Sequence, residues 1–203
     1  MIRLRDPFGQ ALDVLRQALA EGRHTAGRPI VIADEARALR LSTTPVREAL
    51  CWLGGEGLVE RGAAGGFVAP RLDAAALAQR YDFRGLCLLE MSRRTRALPP
   101  PGLITAGTAA RRLEDLWRWR MRSLGDVGLY EAFAAVQGRL ARFTAAESRV
   151  FADVEAEAEA LLRSDPEEVA VLVHPYHDRR AAAASLLVLE AEADEPAGTG
   201  GEP

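Results

Sequence analysis

Apolar residues recur along most of this chain with helical spacing, and one stretch breaks the rule. Phe8, Leu12, Leu15 and Leu19 form one stripe, with Asp6 and Pro7 placed as cap and first helical residue and Gly22 as the stop. Residues 28–31 read as a short edge strand. Ile32, Ala36 and Leu39 predict a short amphipathic helix, and Arg40-Leu41 a turn. Val46, Leu50 and Leu53, at i, i+4 and i+7, predict the next helix from Ser42 onward. Ser42 or Thr44 is its expected cap, and Pro45 is tolerated where a first-turn N–H has no partner to lose. Gly54, Gly55 and Gly57 end it. The non-helical stretch comes next: residues 58–61 and 66–69 read as two strands around a glycine-bounded turn at 62–65.

After Leu72-Asp73, read as linker and cap, the pattern is helical again. A long helix is predicted over 74–97, with Leu77, Tyr81, Arg84, Leu88 and Met91 on one face and the stem of Arg84 lying along it. Pro99 to Gly102 ends it. A second helix carries Ala106, Ala110, Leu113, Trp117 and Leu124. After a break at 125–128, Leu129, Phe133, Val136, Leu140 and Phe143 form a third stripe, and Val150, Val154, Ala158 and Leu161 a fourth. Asp165-Pro166 opens the last helix, which Pro175 must kink or interrupt. Leu186, Leu187 and Leu189 are expected to close the fold. The sum is a mainly α protein. An N-terminal winged helix-turn-helix with a small β-hairpin wing (1–72) precedes an all-α helical-bundle C-terminal domain of five helices (73–192). Residues 193–203, acidic and rich in Gly and Pro, are the expected disordered tail.

Composition narrows the class. The chain has 203 residues and 48% hydrophobic content, enough for real cores. It has no apolar run of membrane-spanning length, and the N-terminus carries no apolar signal core, so no membrane partner is expected. Two cysteines make no disulfide framework and fit a reducing cytoplasm. All 26 basic residues are Arg. The net charge of −3 is uneven: residues 1–72 hold 10 Arg against 8 acids, and the remainder 16 against 21. Nucleic-acid binding needs a local basic face, not a basic protein.

Three runs carry a family resemblance: Thr44-Pro45-Val46-Arg47-Glu48-Ala49-Leu50, Glu56-Gly57-Leu58-Val59-Glu60-Arg61 and Phe67-Val68-Ala69-Pro70. In this order and spacing they resemble the DNA-binding domain of the GntR family of bacterial transcription regulators. Residues 81–90 resemble the first helix of the helical effector domain of its FadR-like (FCD) branch. The resemblance implies a dimer that binds double-stranded DNA at an inverted repeat and responds to a small-molecule effector.

Arg47 is the leading DNA contact. It lies on the polar side of the predicted recognition helix, in its first two turns, and a guanidinium takes guanine O6/N7 or a phosphate bidentately. Ser42, Thr43 and Thr44 offer hydroxyls to phosphates, although capping alone accounts for Ser42 or Thr44. Arg37, Arg40 and Arg61 are supporting candidates, and Gly65 offers backbone at the wing tip. Two positions depart from the family pattern. An Arg base reader usually stands at Thr43, and the wing tip usually carries a basic residue or His. The family also usually has Gly at Arg40, where a left-handed backbone would cost an Arg about 1 kcal/mol.

In the C-terminal domain, Arg84, Trp117 and His177 are the candidate effector pocket. Trp117 and Trp119 lie about 200° apart on a helix, so one of them faces the core. The family's metal site needs one Asp and three His. Its positions fall here on Leu113, Trp117 and Val154, with only His174 or His177 left, so no metal and no cofactor are expected. The histidines read as exposed side chains near the Pro175 kink, with His24 alone in a loop. Cys51 reads as a small, semi-buried residue and Glu155, Glu157 and Glu159 as a solvated helix face. No phosphate loop or nucleophile motif is present, so an enzyme is not expected. The alternative to a regulator is a degenerate relative that acts as a protein-interaction module with weak or no DNA binding.

Overall fold

The computed structural model describes residues 6–95, 97–100, 102 and 106–193. The expected tail, from 194 onward, lies outside them, as does Pro101 of the proline run. The described chain is mainly helical with one small antiparallel sheet, and it divides into two compact units. The first gathers described residues 6–71 with 141–143 and 191–193, the second 72–140 with 144–190.

In the first unit, α1 (Pro7–Ala20) starts where Asp6 accepts from the Gly9 amide at 2.9 Å. The short helix α2 (Ile32–Leu39) is closed by Arg40, and α3 (Thr43–Gly55) follows after the three residues Arg40, Leu41 and Ser42. Leu15 of α1, Ala36 of α2 and Val46, Ala49, Leu50 and Leu53 of α3 are buried together, with Val59 and Phe67. Strands β1 (Pro29–Ile30), β2 (Glu60–Arg61) and β3 (Phe67–Val68) pair in the order β1-β3-β2, so the 28–31 segment is an edge strand. The turn between β2 and β3 is closed by the Gly65 amide donating to the Gly62 carbonyl at 2.9 Å. Three helices and this hairpin form the helix-turn-helix with its wing. The strands are shorter than the sequence predicts, because only Glu60 and Arg61 pair with Val68 and Phe67 across the hairpin.

The second unit is all helix. Helix α4 (Ala74–Arg94) is capped by Asp73, which accepts from the Ala76 amide. It packs on α9 (Pro166–Ala182) and α6 (Val127–Leu140). Helix α5 (Ala109–Ser123) packs on α6 and on α8 (Val154–Arg163). The remaining helices are α7 (Thr144–Val150) and α10 (Ala184–Ala193). Among the described residues this unit therefore holds seven α-helices where the sequence predicts five. Two additions explain the difference. The stripe ending at Phe143 leaves α-geometry at Ala141, passes through a 3₁₀ turn and restarts as α7. The stripe assigned to 150–161 is split, because Val150 ends α7 and Val154 starts α8. Beyond Ala183, α10 is a helix in its own right.

Other boundaries shift too. Helix α4 stops at Arg94, before Ala97, and Ala106 precedes α5, which Thr108 caps. Pro175 does not interrupt α9. Of the three closing leucines only Leu187 is buried; Leu186 and Leu189 are exposed. No described helix is long and apolar enough to cross a membrane.

Candidate functional site

The outward face of α3 is set by what its other face buries. Val46, Ala49, Leu50 and Leu53 have no solvent exposure, so at 100° per residue Thr43, Thr44, Arg47, Glu48 and Cys51 are turned outward, and all five are exposed. Arg47 has no hydrogen-bond or ion-pair partner among the described residues, so its guanidinium is available. Ser42 sits at the N-cap in extended backbone, but neither its hydroxyl nor that of Thr44 caps the helix. The capping role expected of these oxygens is thus not made, and the first-turn N–H groups of α3 are left without a side-chain acceptor.

Arg40 has φ 55° and ψ 40°, the left-handed conformation that the family resemblance implies at this position. Backbone closure demands it: the amides of Arg40 and Leu41 donate to Arg37 and Ala36 carbonyls and shut α2 in one step. The Arg40 side chain is exposed and unpaired among the described residues. Two supporting arginines make contacts. Arg37 donates to Asp34 at 2.7 Å, and Arg61 lies over the Phe67 ring, 4.5 Å from its centroid. Gly65 and Gly66 have φ of 88° and 73°, which only glycine adopts without strain, and a Cβ on either would meet nothing within 4 Å. The wing tip is open backbone.

Cys51 is exposed, not semi-buried, because it follows Arg47 by one turn on the outward face. At the end of α3, both carboxylate oxygens of Glu56 accept from the single Arg16 Nη2, at 2.7 and 3.0 Å, and Oε1 also accepts the Trp52 indole N–H at 2.8 Å. Glu56 thereby ties the end of α3 to α1. His24 is not alone: Glu35 lies 3.9 Å away, and burial outweighs that carboxylate in lowering the imidazole's pKa.

The body brings Arg84, Trp117 and His177 together, and adds residues that the pattern did not single out. Arg84 is buried guanidinium and all, contrary to a stem lying along the core with its head in water. Its Nε donates to His177 Nε2 at 3.0 Å and its Nη1 to Gln137 Oε1 at 3.2 Å. Its charge sits 5.4 Å from the Tyr81 ring centroid and 5.6 Å from that of Trp117. His177, expected to be exposed, is 1% exposed. Its Nδ1 lies 2.7 Å from the Val173 carbonyl, so Nδ1 carries the proton and Nε2 is the acceptor. Burial and the Arg84 charge hold its pKa well below the usual value, so the ring is neutral.

A second buried arginine lies beside this pair. Arg180 Nε donates to Glu147 Oε2 at 2.7 Å, and its Nη1 donates to the Tyr176 carbonyl and lies 2.9 Å from Glu157 Oε2. Tyr81 donates its hydroxyl to Glu147 Oε1 at 2.7 Å, and burial above all raises the phenol's pKa. The acidic run 155–159 is only in part a solvated face: Glu155 is exposed, but Glu157 and Glu159 are half-buried. Glu155 accepts the Ala109 amide, Glu157 faces Arg179 and Arg180, and Glu159 pairs with Arg112. Helical phase groups that run on one helix but cannot name partners on other helices, and Glu147 and Gln137 left no signal beyond their position beside apolar stripes.

A metal does not fit here. His177 Nε2 is taken by a guanidinium N–H, and Leu113, Trp117 and Val154 are buried apolar side chains. Among the described residues no group of three or more His, Cys, Asp or Glu is placed to hold an ion. His174 faces only Asp178, at 3.2 Å on the surface.

No family model and no curated protein matches the chain. Solved structures do. One is E. coli McbR/YncC, at 17% identity over 94% of this chain and 92% of that one, with a TM-score of 0.40. Another is Lar, which controls the expression of the Listeria monocytogenes agr system and mediates virulence; it is 15% identical, over 95% of this chain and all of the other, with a TM-score of 0.36.

Proposed function

We propose that this chain is a cytoplasmic, sequence-specific DNA-binding transcription regulator, and not an enzyme. Residues 1–72 act as its DNA-binding head and 73–192 as a body that dimerises and responds to a small-molecule effector. The observation that carries the reading is Arg47: an exposed, unpartnered guanidinium on the outward face of α3, inside the run that resembles the GntR recognition helix. In helix-turn-helix docking that face enters the major groove, where Arg47 reads guanine or holds a phosphate. Thr43, Thr44 and Ser42 supply hydroxyls to the backbone, Arg40 a further charge at the turn, and Gly65 a close backbone approach from the wing. Arg37 contributes only if Asp34 releases it, whereas Arg61, stacked on Phe67, keeps its N–H donors free for a phosphate.

An inverted repeat read by one helix per half-site calls for a two-fold dimer. Genomic footprinting of the tagged protein, followed by titration of the recovered site and a scrambled duplex, tests the reading. A clear preference for the recovered site supports it; equal affinity removes it. Light scattering at micromolar concentration tests the dimer, and a monomer there would count against the inverted-repeat model. The interaction-module alternative is favoured by Glu48, an unpaired acid on the same face as Arg47, and by the uncharged wing.

A further inference from the structure

Glu48 is an acid on the face that is proposed to meet the DNA polyanion. The other acids on the three helices of the head, Asp13, Asp34 and Glu35, each have an Arg or His side chain within 3.9 Å. Glu48 is exposed and has no hydrogen-bond or ion-pair partner among the described residues. Its own helix offers none, because the side chains three and four positions away are Thr44, Pro45, Cys51 and Trp52. The core fixes its direction. Val46, Ala49, Leu50 and Leu53 have no solvent exposure. At about 100° per residue, Glu48 lies within about 30° of the line opposite their mean direction. Thr44 and Cys51 flank it, and both are exposed. Glu48 is therefore near the centre of the face that carries Arg47, and the two charged side chains diverge by about 100°.

A carboxylate brought up to DNA is repelled by the phosphates, and inside a groove it loses water, which is costly unless it gains a donor. In the major groove two base groups donate, the amino groups at cytosine N4 and adenine N6. Guanine N7 and O6 and thymine O4 are acceptors and repel it. At adenine the acceptor N7 stands beside N6, a pattern that suits an amide and sets a second carboxylate oxygen against a lone pair. Cytosine is the base left. We propose that Glu48 is a specificity-determining residue: it accepts a hydrogen bond from cytosine N4 in the major groove, so each half-site carries a C·G pair under the centre of α3. The proposal rests on the DNA-binding reading of α3 and deepens it. Arg47 attracts the duplex, and Glu48 rejects a duplex with the wrong base at its position. The acid that favours the interaction-module alternative thereby gains a role in sequence choice.

The test is selection of sites from a pool of randomised duplexes by the full chain, as wild type, Glu48→Gln and Glu48→Ala, followed by titration of the selected duplexes. Wild type should select a motif with a fixed C·G pair. Glu48→Gln should change that pair alone to A·T, because an amide donates to adenine N7 and accepts from N6. Glu48→Ala should leave that position degenerate and the others unchanged. In titration, placing A·T at the C·G position should weaken wild type by about five-fold or more, the effect of one mismatched pair, and should leave Glu48→Ala unaffected. Glu48→Gln keeps the size of the side chain, so a change confined to one base pair cannot come from a lost fold. A wild-type motif that both variants select unchanged, or a loss spread over all positions, would overturn the role of Glu48 and leave the regulator reading standing. A wild type that selects no motif would remove both.

Discussion

Arg47 and Arg84 look alike in the sequence, each an arginine within an amphipathic helix, and they end in opposite surroundings. Arg47 is exposed on α3 with no partner among the described residues; Arg84 is buried in α4 against a histidine, a glutamine and aromatic rings. The difference follows from phase. Val46 and Leu50 flank Arg47 and face the core, so Arg47 cannot. Arg84 stands in register with Leu77, Tyr81, Leu88 and Met91, on the face that α4 buries. A free guanidinium at the surface is available to an external anion at little cost. A buried one must be balanced from within, and around Arg84 and Arg180 the protein builds a polar network to do so.

The largest expected effect comes from breaking that network. Glu147→Ala leaves Arg180 buried with one carboxylate fewer and Tyr81 without its acceptor, and should cost about 3–5 kcal/mol of stability. Chemical denaturation would measure it; a loss under 1 kcal/mol would mean the network does not carry the body. Next is Leu50→Ala, which empties part of the head's core and should cost about 2–5 kcal/mol. Arg47→Ala, three residues away, should leave the unfolding midpoint within about 0.5 kcal/mol of wild type, as a surface change does. Equal losses in the two variants would erase the contrast between scaffold and contact.

A smaller effect separates the buried histidine from the surface. His177 titrates well below about 6.5 in the folded protein and near 6.5 when unfolded. Between those values the unfolded chain binds more protons, so stability present above about pH 6.5 is lost as the pH falls. His24, also lowered, adds a loss of the same sign in the head. His177→Gln should flatten the acid slope of the body's unfolding, and an unchanged slope would argue that the ring is already charged. Smallest is Arg40→Gly, which relieves the left-handed backbone and should stabilise the head by up to about 1 kcal/mol in the same denaturation assay.

Much of the fold was legible because it depends on local rules. Asp6-Pro7, Asp73 and Asp165-Pro166 mark helix starts through capping, which needs only neighbours in sequence. The edge strand at Pro29–Ile30 was legible from its short extended pattern, and the left-handed Arg40 only from the family resemblance. What sequence pattern missed depends on distant partners. The burial of Arg84 and His177, and the pairing of Glu147, Glu155, Glu157 and Glu159, join residues 22 to 93 positions apart. The break between α7 and α8 was hidden because Val150 and Val154 stay in phase across it. On α3, periodicity turned Arg47, Glu48 and Cys51 away from the apolar face, but it gave no measure of exposure, and Cys51, expected semi-buried, is exposed.

The central claim is that Arg47 is free because it reads DNA. The direct measurement is the affinity of wild type and Arg47→Ala for a footprinted site and a scrambled duplex, each at two salt concentrations. The account predicts that wild type prefers the footprinted site and that Arg47→Ala loses about 1–3 kcal/mol of that binding with its fold intact. A wild-type preference that survives unchanged in Arg47→Ala would contradict it.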